Sequence, residues 1–371
     1  MIISSSVSSR YIKPIDGLRA LSIILVIFFH ANLFEGRASD NLLVFNILNS
    51  FDAGVSFFFL ISGFLITGIL VDTKNQEGFF KKFYARRFLR IFPLYYLILI
   101  GAFFIVPLFD HSRVAKWATV DSTWYWLFLS NYYIAFKGQF QHGLVDLSWS
   151  LSIEEQFYLV WPFVVYYLKP KNILRASLLG ITLSLVLRIY FRSTGASDLL
   201  IHLFTFSRLD GLCLGAILAL GYRGLIKLPE LSKIPVFIGV MPLLLHYFFL
   251  LNTSSASIFL RGTFSYTLVA LFFAFFFMKV ISGEKSLFNN SLLITVGKYS
   301  YGIYLTHYPI ASYLRPYFQN YFDKYYDIPL AIYGTQLIYV LIVLIGSLAI
   351  SYAIFHFYEK HFLKLKKFFE Y

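Results

Sequence analysis

Long apolar runs recur along the chain, and they restrict its fold more than any other feature. They occur at residues 18–34, 91–109 and 330–355, with a further one at 264–277 and its flanks. A helix of about 20 apolar residues crosses the roughly 30 Å hydrocarbon core of a bilayer, so each run predicts a membrane span. Because 58% of the residues are apolar and only 14% are charged, a soluble fold could not bury them. The sequence therefore predicts an all-α, polytopic transmembrane helical bundle.

The apolar or aromatic segments that we predict to be helical follow one another with short connections. They comprise residues 15–34, 53–71, 89–109, 124–136, 150–168, 173–191, 205–222, 235–251, 260–280, 292–312 and 330–357. The first is too long for the core of a signal peptide and predicts an uncleaved anchor. The fourth would extend only about 20 Å, so we expect a short re-entrant or interfacial helix. No repeat or long linker divides the chain, which predicts a single transmembrane domain over 1–371 without a fused soluble domain.

Positive charges are distributed unequally between alternate connections. If segment 124–136 does not cross, twenty Lys and Arg residues fall on one side of the membrane and eight on the other. Short cytoplasmic loops are enriched in Lys and Arg, so we predict about ten crossings with both termini cytoplasmic. The net charge of +13 comes from these clusters, which favours membrane lipids over nucleic acid as the anionic partner. Cys213 is the single cysteine, so the chain can form no intrachain disulfide.

Ionisable side chains in the first span are functional candidates, because a charge inside a membrane is costly unless it is paired or faces water. Asp16, Arg19 and His30 share one helix face, and Arg19 and His30 lie about 16 Å apart along the axis. This predicts Arg19 near the inner boundary and His30 in the outer half, along one polar path. Alternatively, Asp16 and Arg19 reach the interface while His30 is a satisfied core histidine.

Three arginines, Arg86, Arg87 and Arg90, precede the third span on the inner side. Guanidinium groups bind phosphate bidentately and keep their charge, so together with Arg19 they predict a site for a phosphorylated ligand. Taken alone, the three could equally be anchors of the positive-inside type. Lys298 at the start of a later span is open to the same two explanations.

Two adjacent carboxylates, Glu154 and Glu155, lie in a segment that we expect to enter the membrane from outside. One of them would then lie near the depth of His30, where it could orient the imidazole and raise its basicity, as a general base requires. Only one can share that face, because neighbours on a helix diverge by about 100°. The alternative is a pair of carboxylates at headgroup level.

Other polar side chains belong to the predicted outer layer. Arg208 and Asp210 are expected to neutralise each other, whereas Arg188 and His307 remain open. The spacings His142 to Asp146 and 356–361 match no zinc or catalytic pattern in its required context, so no metal is predicted. The absence of a Walker-type loop and of G-x-S-x-G and H-E-x-x-H motifs disfavours an ATP-driven pump or a hydrolase.

Six stretches together resemble the membrane-bound acyltransferase-3 family, which O-acylates bacterial surface and secreted glycans. They are DGLRALSIILVIFFH, FDAGVSFFFLISGFLIT, RRFLRIFPLYY, SWSLSIEEQFYLVWP, SRLDGLCLGA and YSYGIYLTHYPI. The first is similar to the opening Arg-x10-His motif of that family, and the third is similar to its Arg-x-x-Arg region. The resemblance extends over nearly the whole chain.

The resemblance implies a ten-helix enzyme of the bacterial inner membrane that moves an acyl group, which we expect to be acetyl, from cytoplasmic acyl-CoA to a glycan hydroxyl. Acceptors of this kind include O-antigen (lipopolysaccharide) sugars, exopolysaccharide and peptidoglycan. Acetyl-CoA would be a co-substrate, with no permanently bound cofactor. His30 and Glu154 would be catalytic, with Arg19, Arg86, Arg87 and Arg90 binding the acyl-CoA. The residues expected to support the site or the acceptor pocket are Asp16, Ser150, Tyr158, Arg208, Asp210 and His307.

Two other classes of function compete with an acyltransferase. A transporter or glycan flippase also needs a charged path near the midplane, although the two halves of the chain lack a matching pair of broken helices. A sensor or scaffold would use its polar residues only for helix packing. Acetyl-CoA binding that is lost on substitution of Arg87 or Arg90 would distinguish the enzyme from both.

Overall fold

The computed structural model describes residues 12–37, 42–111, 114–229, 233–252, 254–283 and 286–371. These ranges contain helices and turns and no β-strand. The α-helices are α1 (Lys13–His30), α2 (Leu42–Asn49), α3 (Ala53–Thr73), α4 (Phe79–Ile100), α5 (Val114–Trp117), α6 (Thr123–Trp126), α7 (Ser130–Lys137), α8 (Ser148–Tyr167), α9 (Pro170–Ser193), α10 (Asp198–Leu203), α11 (Leu209–Tyr222), α12 (Val236–Leu251), α13 (Ser255–Ile281), α14 (Ser291–Lys324), α15 (Pro329–Ile354) and α16 (Lys360–Lys364). The all-α prediction is therefore confirmed for this part of the chain.

Six helical stretches are long and apolar enough to cross a membrane, by length and composition. They are Lys13–Glu35, Leu43–Thr73, Phe79–Leu108, Pro170–Ser193, Ser255–Ile281 and Pro329–Phe369, and the shorter apolar helices are Leu209–Tyr222 and Val236–Leu251. A multi-pass membrane protein follows from them. The number of ten crossings, the sides of the termini and the single domain over 1–371 stay predictions. Arg10, Arg113 and Lys285, which contribute to the charge argument, lie outside the described residues.

Two further helices are long enough to cross but fall outside this set, because they carry more polar side chains. The 20 residues of α8 include Glu154 and Glu155, and the 34 residues of α14 include Lys298 and His307. Polar residues buried in a membrane bundle face its interior and usually serve a function. These two helices therefore contribute to the candidate site.

The weak segment 124–136 forms two separate helices instead of one. Helix α6 has four residues and α7 has eight, and at 1.5 Å per residue even α7 extends only about 12 Å. Neither can cross the hydrocarbon core as a continuous helix. Helix α2, also eight residues long, was not predicted.

Helix α3 lies at the centre of the bundle and packs most closely against α11. In the stretch Leu43–Thr73, which includes α3, 78% of the most apolar window is buried inside the protein. The corresponding share for α9 is 22%. Glycines allow the two backbones to approach: a Cβ added at Gly63 would lie 2.0 Å from the Leu212 carbonyl oxygen, and one at Gly215 would lie 2.1 Å from that of Leu60. Small residues at such crossings are the usual means of tight packing in membrane bundles.

Helix α1 packs against α14, which in turn packs against α15. Gly297 on α14 faces the backbone of α1, and a Cβ there would lie 1.8 Å from the Asp16 carbonyl oxygen. The close approach brings the polar face of α1 against α14. Arg19 and His30 therefore face the interior of the bundle.

Candidate functional site

Two cavities lie along the polar face of α1, and we name them for the Arg19 and His30 ends of that helix. The inner cavity has a volume of about 150 Å³ and is lined by Arg19, among others. The outer cavity has a volume of about 590 Å³ and is lined by His30, among others. Val55 and Tyr304 line both cavities. These two side chains therefore form the wall between them.

Three of the four predicted arginines converge on the inner cavity: Arg19, Arg87 and Arg90 all line it. Among the described residues, their acidic and aromatic contacts are loose. Arg19 lies 3.7 Å from the Asp16 carboxylate, Arg90 lies 3.9 Å from that of Glu359, and the Arg87 guanidinium lies 6.0 Å from the centre of a tyrosine ring. Guanidinium groups that are not tightly paired remain able to bind an anionic ligand.

Arg86 points away from this cluster and does not line the inner cavity. Its Nη1 donates hydrogen bonds to the main-chain oxygens of Lys366 at 3.4 Å and Phe369 at 3.3 Å, and its guanidinium lies 5.0 Å from the Tyr371 ring centre. Neighbours on a helix diverge by about 100°, and the last carbonyls of a helical segment need donors. Arg86 thus holds the C-terminal turn in place, and its grouping with the acyl-CoA-binding arginines stays a prediction.

Glu154 also lines the inner cavity, together with Tyr158 and Ser150. The Tyr158 hydroxyl donates to Glu154 Oε2 at 3.2 Å and also hydrogen-bonds to Ser62. Glu155 lines neither cavity, so the preference for Glu154 over Glu155 agrees with the geometry. The pair of Tyr158 and Glu154 faces Arg19 and Arg87 across the same space.

The expected contact between Glu154 and His30 is not formed, because Glu154 lies deeper than predicted. The connection before α8 folds into the bundle: His142 is only 1% exposed and Asp146 only 3%. Asp146 accepts hydrogen bonds from the main-chain N–H groups of His142 at 3.1 Å and Gly143 at 2.7 Å. Helix α8 therefore follows a buried connection, and Glu154 lines the same cavity as Arg19.

His307 is the side chain that His30 contacts instead. His307 Nε2 lies 3.2 Å from His30 Nδ1, and each Nδ1 also faces a main-chain carbonyl oxygen, that of Val26 at 3.0 Å and that of Ile303 at 3.1 Å. A carbonyl oxygen can only accept, so both Nδ1 atoms carry protons in the neutral pair. His307 Nε2 then accepts from His30, and the lone pair of His30 resides on Nε2. His30 is thereby set up as a proton acceptor in the outer cavity.

The outer cavity combines polar groups with aromatic rings. Glu35, Asp52 and Asp146 contribute carboxylates, and Trp149 and Tyr308 contribute ring faces. Arg315, also in its wall, donates to Glu35 Oε2 at 2.8 Å and to the carbonyl oxygen of Asn32. Carboxylates and flat ring faces are groups that hydroxyl-rich ligands can use for hydrogen bonding and packing.

The wall between the cavities is held by a hydrogen bond from α14 to α8. The Tyr304 hydroxyl lies 2.6 Å from Ser150 Oγ and also donates to the Leu147 carbonyl oxygen at 3.1 Å. Tyr304 and His307 lie three residues apart, on one face of α14. Sequence reasoning missed Tyr304, although that spacing could have indicated it; it also missed Ser62, for which no signal was present.

Asp210 pairs with Arg188 and not with Arg208, which corrects the predicted pair. Arg188 Nη1 lies 2.9 Å from Asp210 Oδ2, and Arg188 also donates to the Thr263 carbonyl oxygen at 2.8 Å and to Thr267 Oγ1 at 2.6 Å. Arg188 is fully buried. Neither Arg188 nor Asp210 lines the two cavities, so this pair joins α9, α11 and α13 from behind the site.

Arg208 lies against the outer cavity without entering it. It donates to His202 Nδ1 at 3.1 Å and to Ser56 Oγ at 3.1 Å, and its guanidinium lies 3.9 Å from the Tyr266 ring centre. His202 lines the outer cavity. Burial, followed by the charge of Arg208, holds the pKa of His202 well below its ordinary value; Arg208 can only donate, so His202 Nδ1 accepts this hydrogen bond. Within the described ranges, no three His, Cys, Asp or Glu side chains are arranged to hold a metal ion.

Comparison with known proteins identifies the family of the chain. The family model described as Acyltransferase domain matches residues 12–356. The chain is 29% identical to the O-acetyltransferase OatA of Staphylococcus aureus over 84% of its own length and 52% of that protein. It is 32% identical to the peptidoglycan O-acetyltransferase OatA of Listeria monocytogenes, over 83% and 51% respectively. The chain thus spans about half the length of these curated relatives, and no solved structure matches it. On the match over residues 12–356, the chain belongs to the acyltransferase-3 family.

Proposed function

We propose that this chain transfers an acetyl group from a cytoplasmic acetyl-CoA thioester to a hydroxyl group of a glycan on the outer side of the bacterial inner membrane. One observation supports this most: two cavities of different chemistry meet end to end at Val55 and Tyr304. The inner cavity offers guanidinium groups, and the outer offers an imidazole with a free lone pair. A reaction that joins a phosphorylated donor and a hydroxyl acceptor from opposite sides needs this combination.

The orientation is part of the proposal. Ten crossings with both termini in the cytoplasm would place the inner cavity toward the cytoplasm, where acyl-CoA is made. The excess of Lys and Arg on that side, twenty against eight, supports it. Fusion of a reporter that is active only in the cytoplasm to residues in each connection would test the count and the sides.

Donor binding is assigned to the inner cavity. Its volume of about 150 Å³ is too small for a whole coenzyme, so the nucleotide would remain at the mouth against Arg87 and Arg90. The thin pantetheine arm would extend past Arg19 toward Tyr304. Glu154 would balance part of the arginine charge when the donor is absent, and with Tyr158 and Ser62 it would offer hydrogen-bonding groups along the arm.

Acyl transfer is assigned to His30. Its Nε2 would remove the proton of an acceptor hydroxyl in the outer cavity while the hydroxyl oxygen attacks the thioester carbonyl carbon. The C–S bond then breaks, and the coenzyme leaves as a thiolate that takes up the proton from the imidazolium. His307 would share the hydrogen bond to Nδ1 throughout. The variant of this scheme places the acetyl group on His30 before the acceptor attacks.

Calorimetry on the purified protein tests donor binding. We expect acetyl-CoA to bind, and Arg87→Gln or Arg90→Gln to weaken it about tenfold or more, as for a lost charge-assisted hydrogen bond. Arg175→Gln, at an exposed arginine outside both cavities, is the matched control. Equal affinity in all four proteins would exclude the inner cavity as the donor site.

Single-turnover assays with radiolabelled acetyl-CoA test the role of His30. His30→Ala and His30→Gln should both bind the donor and transfer no acetyl group. Label that remains on the wild-type protein after a chase would favour the acyl-histidine variant. A His30→Ala protein that transfers at the full rate would remove His30 from either scheme.

Among acceptors we favour peptidoglycan over O-antigen or exopolysaccharide, because the name of the Listeria monocytogenes relative specifies peptidoglycan. Mass spectrometry of cell-wall glycans with and without the gene tests the choice. Loss of acetyl groups from peptidoglycan alone is expected. If the acetyl content of peptidoglycan were unchanged and that of a surface polysaccharide were altered, the acceptor would be that polysaccharide.

A further inference from the structure

A third cavity, of about 230 Å³, adjoins the outer cavity and shares Asn49 and Asp52 with it. We call it the flanking pocket. Its wall is formed mainly by Arg192 near the end of α9, His246 on α12 and Arg261 at the start of α13. None of the residues predicted for the site lines it, and the proposed reaction does not use it.

Several polar atoms of the flanking pocket have no hydrogen-bond partner among the described residues. They are both ring nitrogens of His246, the hydroxyl oxygen of Ser265 and Nε of Arg192. His246 is only 8% exposed and Ser265 only 7%. Proteins rarely bury polar groups without partners, because each one loses its hydrogen bonds to water. A ligand that accepts hydrogen bonds in this pocket would recover them.

Three of these side chains can donate: Arg192 Nε carries a proton, the Ser265 hydroxyl can donate, and one ring nitrogen of a neutral His246 carries a proton. Arg192 is anchored by Asp198, 2.6 Å from Nη1, which leaves its Nε for a ligand. Gly262 creates the space for this guanidinium, since a Cβ there would lie 2.0 Å from Arg192 Nε. The neighbouring Arg261 lines the pocket as well. The pocket thus combines two guanidinium groups, an imidazole and a hydroxyl.

Two carboxylates also line the flanking pocket, but both have a cationic neighbour. Asp198 pairs with Arg192, and the charge of Arg208 acts on Asp52. Arg261, for which no carboxylate partner is found among the described residues, adds a second guanidinium to the wall of the pocket. We infer that the flanking pocket binds an oxyanion, a phosphate or carboxylate group, through Arg261, Arg192, His246 and Ser265.

The position of the pocket suggests what carries this oxyanion. Because Asn49 and Asp52 line both spaces, a molecule in the outer cavity can extend a substituent into the flanking pocket. One source is an anionic group on the acceptor glycan, and the other is the phosphate of a lipid headgroup. The glycan source rests on the proposed function, whereas the binding of an oxyanion does not.

Binding to the purified wild-type protein in neutral detergent tests the inference. The probes are methyl β-D-glucuronide and methyl β-D-glucoside, which differ in having a carboxylate or a hydroxymethyl group, together with inorganic phosphate. We expect the glucuronide and phosphate to raise the unfolding temperature and the glucoside to have a much smaller effect. Nanodiscs of phosphatidylglycerol, compared with phosphatidylcholine, test the headgroup. Stabilisation by phosphatidylglycerol without stabilisation by glucuronide would assign the oxyanion to lipid and retain the site.

Three variants connect the binding to the pocket. Arg261→Gln should lower the affinity for the stabilising anion about tenfold or more. Ser265→Ala, which removes one oxygen atom, should lower this affinity less. Gly262→Ala should displace the Arg192 guanidinium and thereby also lower the affinity for the anion. Arg175→Gln is the control, and all variants should bind acetyl-CoA as the wild type does. If no probe or lipid acts through Arg261 or Ser265, the inference is wrong, whether or not the protein binds acetyl-CoA.

Discussion

His307 Nε2 lies 3.2 Å from His30 Nδ1 and can only accept a hydrogen bond there, because the proton of His307 is on the nitrogen that faces the Ile303 carbonyl oxygen. This relationship fixes the tautomer of His30, and with it the nitrogen that is available to a substrate. The two residues are 277 positions apart in the sequence. The packing of α1 against α14 brings them together.

Removal of the His307 imidazole, which accepts a hydrogen bond from His30, should slow the chemical step. In His307→Ala, His30 keeps only the Val26 carbonyl as a partner, so we expect kcat to fall about 10- to 100-fold. Acetyl-CoA affinity should not change, since His307 does not line the inner cavity. His307→Gln, whose side-chain oxygen can accept, should recover part of the rate. A loss of donor affinity equal to the loss of rate would indicate a structural role for His307 instead.

Tyr304 should control how much water reaches the thioester. Tyr304→Phe keeps the ring between the cavities and loses the hydrogen bonds to Ser150 and Leu147, so stability should fall by about 1 kcal/mol with little change in rate. Tyr304→Ala removes the wall and should increase acetyl-CoA hydrolysis relative to transfer. Release of free coenzyme, measured with and without acceptor, distinguishes the two. Equal hydrolysis in both variants would contradict the assignment of Tyr304 as a wall.

Arg86 and Arg87 are neighbours with different surroundings, since Arg87 lines the inner cavity and Arg86 contacts the C-terminal turn. Arg87→Gln should weaken acetyl-CoA binding about tenfold or more. Arg86→Gln should leave the affinity unchanged and loosen the C-terminal turn, which calorimetry and limited proteolysis would detect separately. The contact of Arg86 with the carbonyl oxygens of Lys366 and Phe369 is the reason. Similar losses of acetyl-CoA affinity in the two variants would show that Arg86 also contributes to donor binding.

Glycines at the crossing of α3 and α11 should be sensitive to one added carbon. Gly215→Ala places a Cβ 2.1 Å from the Leu60 carbonyl oxygen, so the helices must separate, and we expect a loss of about 1–3 kcal/mol or more. Gly334→Ala is the control, because nothing lies within 4 Å of its Cβ, and it should stabilise α15 by about 0.5–1 kcal/mol. Thermal unfolding in one detergent measures both. A tolerated Gly215→Ala would argue against this close crossing.

The buried pair of Arg188 and Asp210 offers a test of packing outside the cavities. Arg188→Met leaves the Asp210 carboxylate buried without its cation and should cost about 3–5 kcal/mol. The double variant with Asp210→Leu should recover much of the loss, since replacing both charges is far less costly than removing one. Arg192→Met, at an arginine less deeply buried, should cost less. Additive losses in the double variant would mean that the two residues do not depend on each other.

The helices could be predicted because bilayer thickness sets the length of an apolar run. Each segment from 15–34 to 330–357 contains helix, although 124–136 is interrupted and forms two short helices. The face shared by Arg19 and His30 followed from helical geometry alone. The depth of Glu154 did not, since hydropathy cannot indicate that the connection through His142 and Asp146 folds into the bundle.

The sequence could not predict which polar side chains pair with each other. Arg208 and Asp210 are only two positions apart, which made them candidates for a pair, but Asp210 pairs with Arg188 on another helix. Arg208 instead donates to His202 and Ser56. His30 and His307 likewise meet only through the fold. Local spacing limits which side chains can share a face, but tertiary packing decides which of them touch.

The ring of Tyr304 also bears on the ion gradient of the cell. A protein that handles polar substrates from both sides risks becoming a leak for protons and sodium. In the proposed reaction, Val55 and Tyr304 would close the space between the two cavities, so only the reacting group would have to pass that point and the bilayer would remain electrically insulated during acyl transfer.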